Sequence, residues 1–524
     1  MSDSLRKVLT EKQLLPKGWD KLKLSAAVEP RGDRVSPADF PGLPFIGMDH
    51  VEAHTTKIVG SVPARDMKSN AARFYAGDIL YGRLRPYLNK VAQPKVDGLA
   101  SAEFIVFPEN ELIKSSFLKY RLNARDFVGF ANHLNEGDRP RVSFEQIGDF
   151  DLLVPPIAEQ TRIVAKLEEL FSELDKGVEN LRTAQQQLKV YRQALLKHAF
   201  EGKLTAAWRA QNPDKLESAE ALLARIQKAR EARYQHQLAE WQETQQASEA
   251  NGKTGNNPTK PKAPKVLPAL TAEELAELPE LPEGWVYVKA EAITDFITKG
   301  TTPGKELLFD GAGEIPFVKV YNLTKTGALD FTISPTFVSQ DTHNGFLARS
   351  KVYPGDVLMN IVGPPLGKVS VVPALYPEWN INQAIAIYRS ELVQSKLLAA
   401  FLSSEINVRR MMSKSKATAG QFNLTLEICR DTIIPLCGVK EQEQLSRTLD
   451  EKISNLDQLE NTITTSLQQA EALRQSILKK AFSGQLVPQH PDDEPASVLL
   501  ERIRAERDAQ QPAPRRGRQR RVAA

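Results

Sequence analysis

One phrase in the sequence is written twice. Residues 191–204 read YRQALLKHAFEGKL, and residues 473–486 read LRQSILKKAFSGQL, 282 positions further along the chain. Other short motifs repeat in a matching order: LPKGW (15–19) and LPEGW (281–285), AGDIL (76–80) and PGDVL (354–358), LNKV (88–91) and LGKV (366–369), VPPIAEQ (154–160) and IPLCGVKEQ (434–442). An ordered set of repeats at a long period indicates an internal duplication.

Before each copy of the phrase, hydrophobic residues begin to recur at every seventh position, and this pattern continues into the phrase. The positions are Leu167, Leu174, Leu181, Leu188 and Leu195 in the first copy, and Leu449, Leu456, Ile463, Ala470 and Ile477 in the second. This spacing predicts a long helix with a narrow apolar seam, as in a coiled coil. Because one helix cannot bury such a seam alone, the sequence predicts that the two helices pair. Pairing between two chains is the alternative.

The sequence outside these helices predicts compact mixed domains. Short β-rich runs such as EFIVF (103–107) and AIAIY (384–388) alternate with Gly and Pro breaks and with helical pieces such as SFLKYRLNAR (116–125). This mixture predicts an α+β fold. The expected parts are an N-terminal arm (1–14), a first module (15–155), a first spacer helix (156–205), a helix with a flexible linker (206–280), a second module (281–435), a second spacer helix (436–487), and a C-terminal helix with a disordered basic tail (488–524).

Composition sets wide limits on function. A chain of 524 residues with 41% hydrophobic and 26% charged residues is typical of a globular protein with two to four domains. The net charge of +4 permits nucleic-acid binding without requiring it. Cys429 and Cys437 fit neither a disulfide framework nor a zinc site, so we expect both in the core. The sequence has no signal peptide and no apolar run of about 18 residues, which predicts a cytoplasmic protein without membrane contact.

The motifs of common enzymes are missing. GKT at 252–254 lacks the upstream glycine of a phosphate-binding loop, and no GxGxxG, HExxH or CxxC motif is present. VPPIA (154–158) and GPPLG (363–367) lack the flanking residues of the motif with which amino-methyltransferases hold their target amine. We therefore expect no cofactor, no metal and no catalytic residue in this chain, which favours a reader over an enzyme.

Taken together, these motifs resemble the specificity subunits of type I restriction–modification enzymes over nearly the whole chain. The matching text is the LPxGW openings, the GDIL and GDVL turns, RLRPYLNKV (83–91), NINQAIAIY (380–388), VPPIAEQTRIVAKL (154–167) and YRQALLKHAFEGKLTAAWR (191–209). The resemblance implies an α+β fold with two globular α/β target-recognition domains. Two long antiparallel coiled-coil spacer helices would separate them, with an internal pseudo-twofold repeat.

The resemblance also implies partners. The chain would read a bipartite site in double-stranded DNA and dock two methyltransferase (M) subunits, with endonuclease/translocase (R) subunits joining. S-adenosylmethionine would bind in the methyltransferase partner, and ATP and Mg in the endonuclease partner. About forty helical residues at ~1.5 Å rise span roughly 60 Å. At about 3.4 Å per base pair, that length covers at most some 18 base pairs.

Candidate DNA contacts are the arginine-rich loops of the first module and polar residues of the second. Arginine can bond both acceptors of a guanine edge or grip phosphate. The candidates in the first module are Tyr81, Arg83, Arg85, Tyr87, Asn89, Lys90, Asn135, Arg139 and Arg141. Those in the second are Lys299, Thr301, Lys319, Tyr321, Asn322, Asn360, Lys368, Lys414, Lys416, Thr418, Gln421 and Asn423. Trp19 and Trp285 are expected to be core anchors.

Two other functions remain open from the sequence. A duplicated coiled-coil scaffold that binds proteins only would also explain the helices and the modest net charge. An enzyme acting alone is disfavoured by the missing motifs.

Overall fold

The computed structural model describes residues 15–134, 137, 139–250, 260, 261, 263, 270–324, 327–363, 365–415, 417, 418 and 421–510. They fall into two compact units. The first unit takes the described residues of 1–183 and 463–524, and the second takes those of 184–462. These units differ from the predicted boundaries, because each long helix is divided between them rather than forming a separate spacer domain. The reason is that each half-helix packs into the core of its own unit.

The first module is built from short strands and short helices. Its strands are β1 (Asp20–Lys23), β2 (Arg34–Val35), β3 (Pro44–Ile46), β4 (Val62–Pro63), β5 (Ala71–Phe74), β6 (Ile79–Gly82), β7 (Val91–Ala92), β8 (Gly98–Ala100), β9 (Phe104–Phe107) and β10 (Asp151–Val154). Its helices are α1 (Leu24–Ala27), α2 (Ser115–Asn123), α3 (Arg125–His133) and α4 (Phe144–Gly148). The first long helix, α5 (Ile157–Phe200), follows directly.

The second module follows three helices, α6 (Ala206–Gln211), α7 (Ala219–Ala250) and α8 (Ala272–Ala276). Its elements are β11 (Val286–Lys289), α9 (Ala290–Ile293), β12 (Phe296–Lys299), β13 (Phe309–Asp310), β14 (Ile315–Val318), β15 (Thr336–Val338), α10 (Gln340–Asn344), β16 (Lys351–Val352), β17 (Val357–Asn360), β18 (Val369–Val371), β19 (Trp379–Ile381), β20 (Ile385–Arg389), α11 (Ser395–Ser403), α12 (Glu405–Ser413), β21 (Ala417–Thr418), β22 (Gln421–Phe422), α13 (Leu426–Arg430) and β23 (Ile433–Leu436). The second long helix, α14 (Val439–Phe482), and α15 (Ala496–Gln510) complete the chain.

The two modules share one arrangement of sheets. In the first, a five-stranded sheet has the order β2-β5-β8-β3-β4, and in the second the order is β13-β15-β14-β19-β16. The parallel pair β3 and β8 corresponds to the parallel pair β14 and β19. A smaller antiparallel sheet, β7-β6-β9, corresponds to β18-β17-β20, to which the second module adds β12. The mixed helix and sheet content that the sequence predicts is confirmed.

Both long helices have 44 residues, and their boundaries differ by the same 282 positions as the repeated phrase. In the second unit, Arg192 of α5 pairs with Asp457 of α14 at 2.5 Å. In the first unit, Arg474 of α14 pairs with Asp175 of α5. Arg192 and Arg474 are equivalent positions of the repeat, as are Asp175 and Asp457, each pair separated by 282 residues. Each copy of the phrase therefore supplies the arginine of one interhelical ion pair.

The glutamine after each arginine makes the next repeated contact. Gln193 accepts a hydrogen bond at 3.1 Å from the backbone N–H of Glu405, the first residue of α12. Gln475 accepts one at 3.1 Å from the backbone N–H of Arg125, the first residue of α3. The first N–H groups of a helix have no partner within that helix. Each glutamine thus fastens a module helix to a long helix of the same unit.

A buried glutamine at the start of each long helix ties it to the module that precedes it. Gln160 is fully buried and donates to the carbonyls of Leu112 and Pro155, both at 3.0 Å. Its Oε1 accepts from the Lys114 N–H at 2.9 Å. Gln442 repeats the arrangement with the carbonyls of Cys437 at 2.9 Å and Leu392 at 3.5 Å. The glutamine of each repeated EQ dipeptide therefore holds the first turn of a long helix against the backbone of the module that precedes it.

The repeated glycines mark close approaches in each unit. Gly202 and Gly484 have φ angles of +69° and +71°, a region that disfavours residues with a Cβ. A Cβ on Gly202 would lie 2.4 Å from Pro282, and one on Gly484 would lie 2.6 Å from Pro16. These prolines belong to the two LPxGW motifs. The glycine of each AFxGxL phrase is therefore required by the opening motif of a module.

The apolar positions predicted from the sequence lie mostly in the cores. Leu167, Leu195, Leu449 and Leu456 are buried, as are Ile463, Trp19, Trp285, Cys429 and Cys437, while Leu174, Leu181, Leu188 and Ile477 are half-buried. Beside Ile477, Leu478 is fully buried. A strict spacing of seven drifts relative to a straight helix of 3.6 residues per turn, which explains the shift by one position. Most of the predicted linker, together with residues 511–524 of the basic tail, lies outside the described residues.

Candidate nucleic-acid interface

The loop between β6 and β7 carries the RLRPY motif of the first module. Arg85 and Asn89 flank a short 3-10 turn, Pro86–Leu88, and both have left-handed backbone conformations with φ angles of 52° and 46°. The corresponding residues of the second module, 278 positions later, are Gly363 and Gly367 with φ angles of 84° and 85°. Glycine adopts this conformation without strain, whereas arginine does not. The first module thus keeps an arginine where its own backbone favours glycine.

The second candidate segment of the first module lies against this loop. Val142 N–H donates to the Arg83 carbonyl at 3.0 Å, and Arg85 N–H donates to the Pro140 carbonyl at 2.7 Å. The side chains of Arg85 and Arg139 are exposed, and that of Arg83 is partly exposed. Two motifs that are about fifty residues apart in the sequence therefore form one basic surface.

Among the described residues, Glu103 brings a carboxylate to this surface. Glu103 forms an ion pair with Arg141, whose side chain is 50% exposed. The Glu103 carbonyl also accepts a hydrogen bond at 2.9 Å from the Arg83 N–H. An ion pair this exposed contributes little to stability. The pair instead holds the Arg141 side chain beside the loop. Tyr87, which is 41% exposed, adds an aromatic ring to the same surface.

The second module joins its equivalent segments by the same bonds. Leu424 N–H donates to the Ile361 carbonyl at 2.9 Å, and Ile361 N–H donates to the Ala384 carbonyl at 2.8 Å. These bonds correspond to Val142 to Arg83 and Arg83 to Glu103 in the first module. The backbone of the surface is therefore repeated, while its side chains differ.

Four predicted contacts are wrong as direct contacts in this conformation, because their side chains are buried: Tyr81, Asn89, Asn322 and Asn360. The three asparagines support loops. The Asn89 amide donates to the Asn123 carbonyl at 3.0 Å, the Asn322 amide to Ile333 at 2.8 Å, and the Asn360 amide to Pro365 at 2.9 Å. Burial raises the pKa of Tyr81, whose ring packs edge-on against Phe127.

The remaining candidates differ in exposure and in the contacts they already make. Lys90 is half-buried and donates to the Met48 carbonyl at 2.5 Å, and Lys368 is half-buried. Lys299, Lys414, Tyr321 and Asn423 are exposed, and Lys319 is half-exposed. The Tyr321 hydroxyl donates to the Ser334 carbonyl at 3.2 Å. Asn135 and Lys416 lie outside the described residues, and the structure gives no side-chain environment for Thr418 or Gln421.

Sequence reasoning missed one residue of this surface, Arg349. Its Nη2 and Nε donate to the Thr301 hydroxyl at 3.1 and 3.3 Å. It lies in the short 3-10 turn Ala348–Ser350, between α10 and β16. No motif marks it, because the corresponding residue of the first module, 278 positions earlier, is Ala71. The sequence signal that could have identified it is a basic residue just before the strand-forming residues of β16.

A different surface is exposed on the long helices. Tyr191 and Leu473 occupy the same position of the repeat, and 52% and 51% of their surfaces are exposed. Val190 and Leu459 are also exposed, at 71% and 52%. One position of the repeat therefore exposes a large apolar side chain in both copies.

Other kinds of site are not found within the described part of the chain. No helix there is long and apolar enough to cross a membrane. Among the same residues, no cluster of three or more His, Cys, Asp or Glu side chains could hold a metal ion.

Comparison with known proteins points to one group. No family model matches the chain. The chain is 30% identical to the specificity subunit of the type I restriction enzyme EcoDI of Escherichia coli over 222 residues, which is 41% of this chain and 50% of that protein. It is 25% identical to the EcoKI specificity subunit of Escherichia coli strain K12 over 417 residues, 73% of this chain and 72% of that protein. The match thus spans about half the length of the first of these relatives.

The fold has a solved counterpart. This chain superimposes, with a TM-score of 0.63 and 20% identity, on a chain from a structure of a type I R-M system. That structure concerns the complex assembly and conformational transition of the system. The superposition covers 90% of this chain and 100% of that chain. At this identity the likeness shows the fold alone. The sequence relatives and the fold agree with the motif-based resemblance, and the chain is a relative of the type I restriction enzyme specificity subunits.

Proposed function

We propose that the chain is the DNA sequence-specificity subunit of a type I restriction–modification complex. Each module reads one half of a bipartite site in double-stranded DNA. The observation that carries this proposal is the repeated backbone joint, Val142 to Arg83 and Leu424 to Ile361, which presents unlike side chains on like loops. Reading two unlike half-sites requires such a pair of surfaces, one scaffold with two sets of side chains.

The chemistry of the first surface fits duplex DNA. Arg83, Arg85, Arg139 and Arg141 offer planar guanidinium donors that match the guanine edge in the major groove and the phosphate backbone. The chain itself carries out no reaction in this proposal. A methyltransferase partner that holds S-adenosylmethionine flips an adenine out of the stack and methylates it, and an endonuclease partner uses ATP and Mg.

The paired long helices are the spacer and the docking surface for two methyltransferase subunits. The exposed apolar pair Tyr191 and Leu473 supports this role, because one position of the repeat presents the same kind of surface twice. Two equivalent surfaces predict one copy of this chain with two copies of the partner. Tyr191→Glu or Leu473→Glu should each leave one partner bound, and the double variant none. Gln468→Glu, about 140° around the same helix from Leu473, should leave two.

The test is to co-express the chain with its cognate methyltransferase subunit and sequence the host DNA for N6-methyladenine. We expect one bipartite motif with two defined halves and a fixed unread gap. A well-formed complex that adds no methylation would contradict sequence reading. That result would leave the protein-only scaffold, which the exposed apolar positions of the helices also favour.

A further inference from the structure

The second module lacks the arginines that make the first surface basic. Where the first module reads RLRPYLNK (83–90), the second reads IVGPPLGK (361–368). The positions of Arg83 and Arg85 are taken by Ile361, which is buried, and Gly363. If both modules contact DNA, the second one needs a guanidinium or another strong donor from elsewhere.

Arg349 reaches the equivalent surface from a different element. It is exposed, and its guanidinium donates to the Thr301 hydroxyl at 3.1 and 3.3 Å. That partner is neutral. Among the described residues, no carboxylate lies within ion-pair distance of Arg349. Its charge is therefore available to an anionic ligand, unlike that of Arg389, which Asp356 pairs at 2.6 Å.

A short series of hydrogen bonds joins Arg349 to the repeated backbone joint. The hydroxyl of Thr302, next to Thr301, accepts from the Gln383 N–H at 3.3 Å. The next carbonyl, that of Ala384, accepts from the Ile361 N–H at 2.8 Å, and the Ile361 carbonyl accepts from Leu424 at 2.9 Å. These contacts link Arg349, through residues 301–302 and 383–384, to Ile361, the counterpart of Arg83.

The connection that carries Arg349 is longer than its counterpart in the first module. The segment between β15 and β16 runs from residue 339 to residue 350, and the corresponding segment between β4 and β5 runs from 64 to 70. In the register of the sheets, Phe337 corresponds to Pro63 and Lys351 to Arg73, so the second connection is four residues longer and includes α10 and the short turn before β16. The same segment exposes 60% of Phe346. An insertion that ends at the candidate surface with an arginine and an exposed aromatic ring is typical of a binding loop.

We propose that Arg349 is a DNA contact of the second module and does the work that Arg83 and Arg85 do in the first. This inference rests on the proposed function. The ligand is the DNA of one half-site, and the contacted group is a guanine edge or a phosphate, both of which the guanidinium fork fits. Thr301 positions the guanidinium.

The test compares Arg349→Ala and Arg349→Lys with the unaltered chain, each in complex with the methyltransferase. Two readouts are taken: the methylated motif, and the affinity for a duplex carrying it as salt is varied. If Arg349 reads a base, both variants relax one base pair of one half-site, with about a tenfold loss of discrimination. If it binds phosphate, Arg349→Ala weakens binding to all sequences and reduces the salt dependence, while Arg349→Lys retains both.

An unchanged motif together with unchanged affinity in Arg349→Ala would overturn the inference. The matched control is Lys396→Ala, which removes one exposed charge from the same unit. Lys396 pairs with Asp450, and the neighbouring Ser395 bonds the Gly355 carbonyl, at the other end of β17 from the loop. Lys396→Ala should leave both readouts unchanged. A wild-type complex that adds no methylation would instead count against the proposed function, so the two failures are distinguishable.

Discussion

The two modules are alike where they meet the long helices and unlike where they face the candidate ligand. Both use the same four-strand order, β5-β8-β3-β4 in the first and β16-β19-β14-β15 in the second. Both are fastened by the same glutamines, arginines and glycines of the repeated phrases. They differ in the added strands, in the β15–β16 connection and in the loop side chains. The repeated motifs therefore specify how each module is attached to the long helices, and the sequences that differ between the modules specify the candidate binding surface.

The largest expected effect tests the attachment. Gln160→Leu removes an amide that makes three hydrogen bonds in a fully buried site. Two carbonyls and one N–H would be left unpaired, so we expect a loss of about 3 kcal/mol of stability. Gln442→Leu should cost less, because one of its two bonds is 3.5 Å long. Thermal unfolding checks both, with the exposed Gln186→Leu as the control. Equal losses of stability in Gln160→Leu and Gln442→Leu would contradict the expected order of the two effects.

The ion pairs between the helices come next. Arg474→Ala removes a guanidinium that pairs with Asp175 and stacks 4.3 Å from the Phe171 ring centre. The Arg474 side chain is 8% exposed and that of Arg192 is 18% exposed. Arg474→Ala should therefore lower the free energy of unfolding by about 2 kcal/mol, more than Arg192→Ala does. Chemical unfolding measures the difference. The exchange Asp175→Arg with Arg474→Asp should recover part of the loss, and no recovery would mean that the pair contributes through packing alone.

Arg85→Gly should change stability and recognition in opposite directions. The φ angle of 52° strains arginine, so glycine should raise the free energy of unfolding by about 1 kcal/mol. The lost guanidinium should reduce discrimination in the first half-site by about tenfold, with the second half-site unaffected. Unfolding and methylation-motif sequencing are the two measurements. A relaxed second half-site would contradict the assignment of one module to one half.

The smallest expected effect is the pH dependence that the Asp126–Arg121 ion pair of the first unit gives to stability. Partial loss of solvent around the Asp126 carboxyl raises its pKa, but hydrogen bonds from Arg121 at 2.6 and 2.7 Å outweigh this effect, and the pKa lies below the ordinary 3.8. A lowered pKa gives stability that is present above the unfolded value and lost as pH falls through the folded value. Asp126 is 63% exposed, so the contribution is less than about 1 kcal/mol.

The measurement is the unfolding of Asp126→Asn and the unaltered chain from pH 6 down to about pH 2. The difference between them should shrink below about pH 4. The second module has Phe401 and Ile406 at the corresponding positions. Ile406→Asn should therefore show no such trend, and a similar trend there would break the comparison.

The sequence predicted the repeated parts well. Periodicity gave both long helices, because the apolar residues at every seventh position must be buried on one side. The sequence named both arginine-rich segments of the first module as candidate DNA contacts, and in the structure the Val142 N–H donates a hydrogen bond to the Arg83 carbonyl and so joins them.

The less repeated parts were predicted poorly, for reasons of chemistry. Asn89, Asn322 and Asn360 are candidate base readers in the sequence, yet in the fold each side-chain amide is buried and donates to a backbone carbonyl. Nothing in the sequence distinguishes an asparagine that reads DNA from one that closes a turn. Arg349 was missed because its position depends on a non-local approach of the β15–β16 connection to Thr301. Which of the exposed residues contact bases stays a prediction.

All four outer strands of the five-stranded sheets, β2, β4, β13 and β16, contain two residues each. A two-residue border offers too few free N–H and C=O groups for another chain to add a strand, and Pro63 removes one more donor from β4. Such borders guard against aggregation while leaving room for insertions. They also explain how the fifth strand can sit on opposite borders in the two modules, since exchanging so short a strand disturbs few bonds. The sheets can therefore gain or lose a short outer strand at either edge while the four shared strands keep their order.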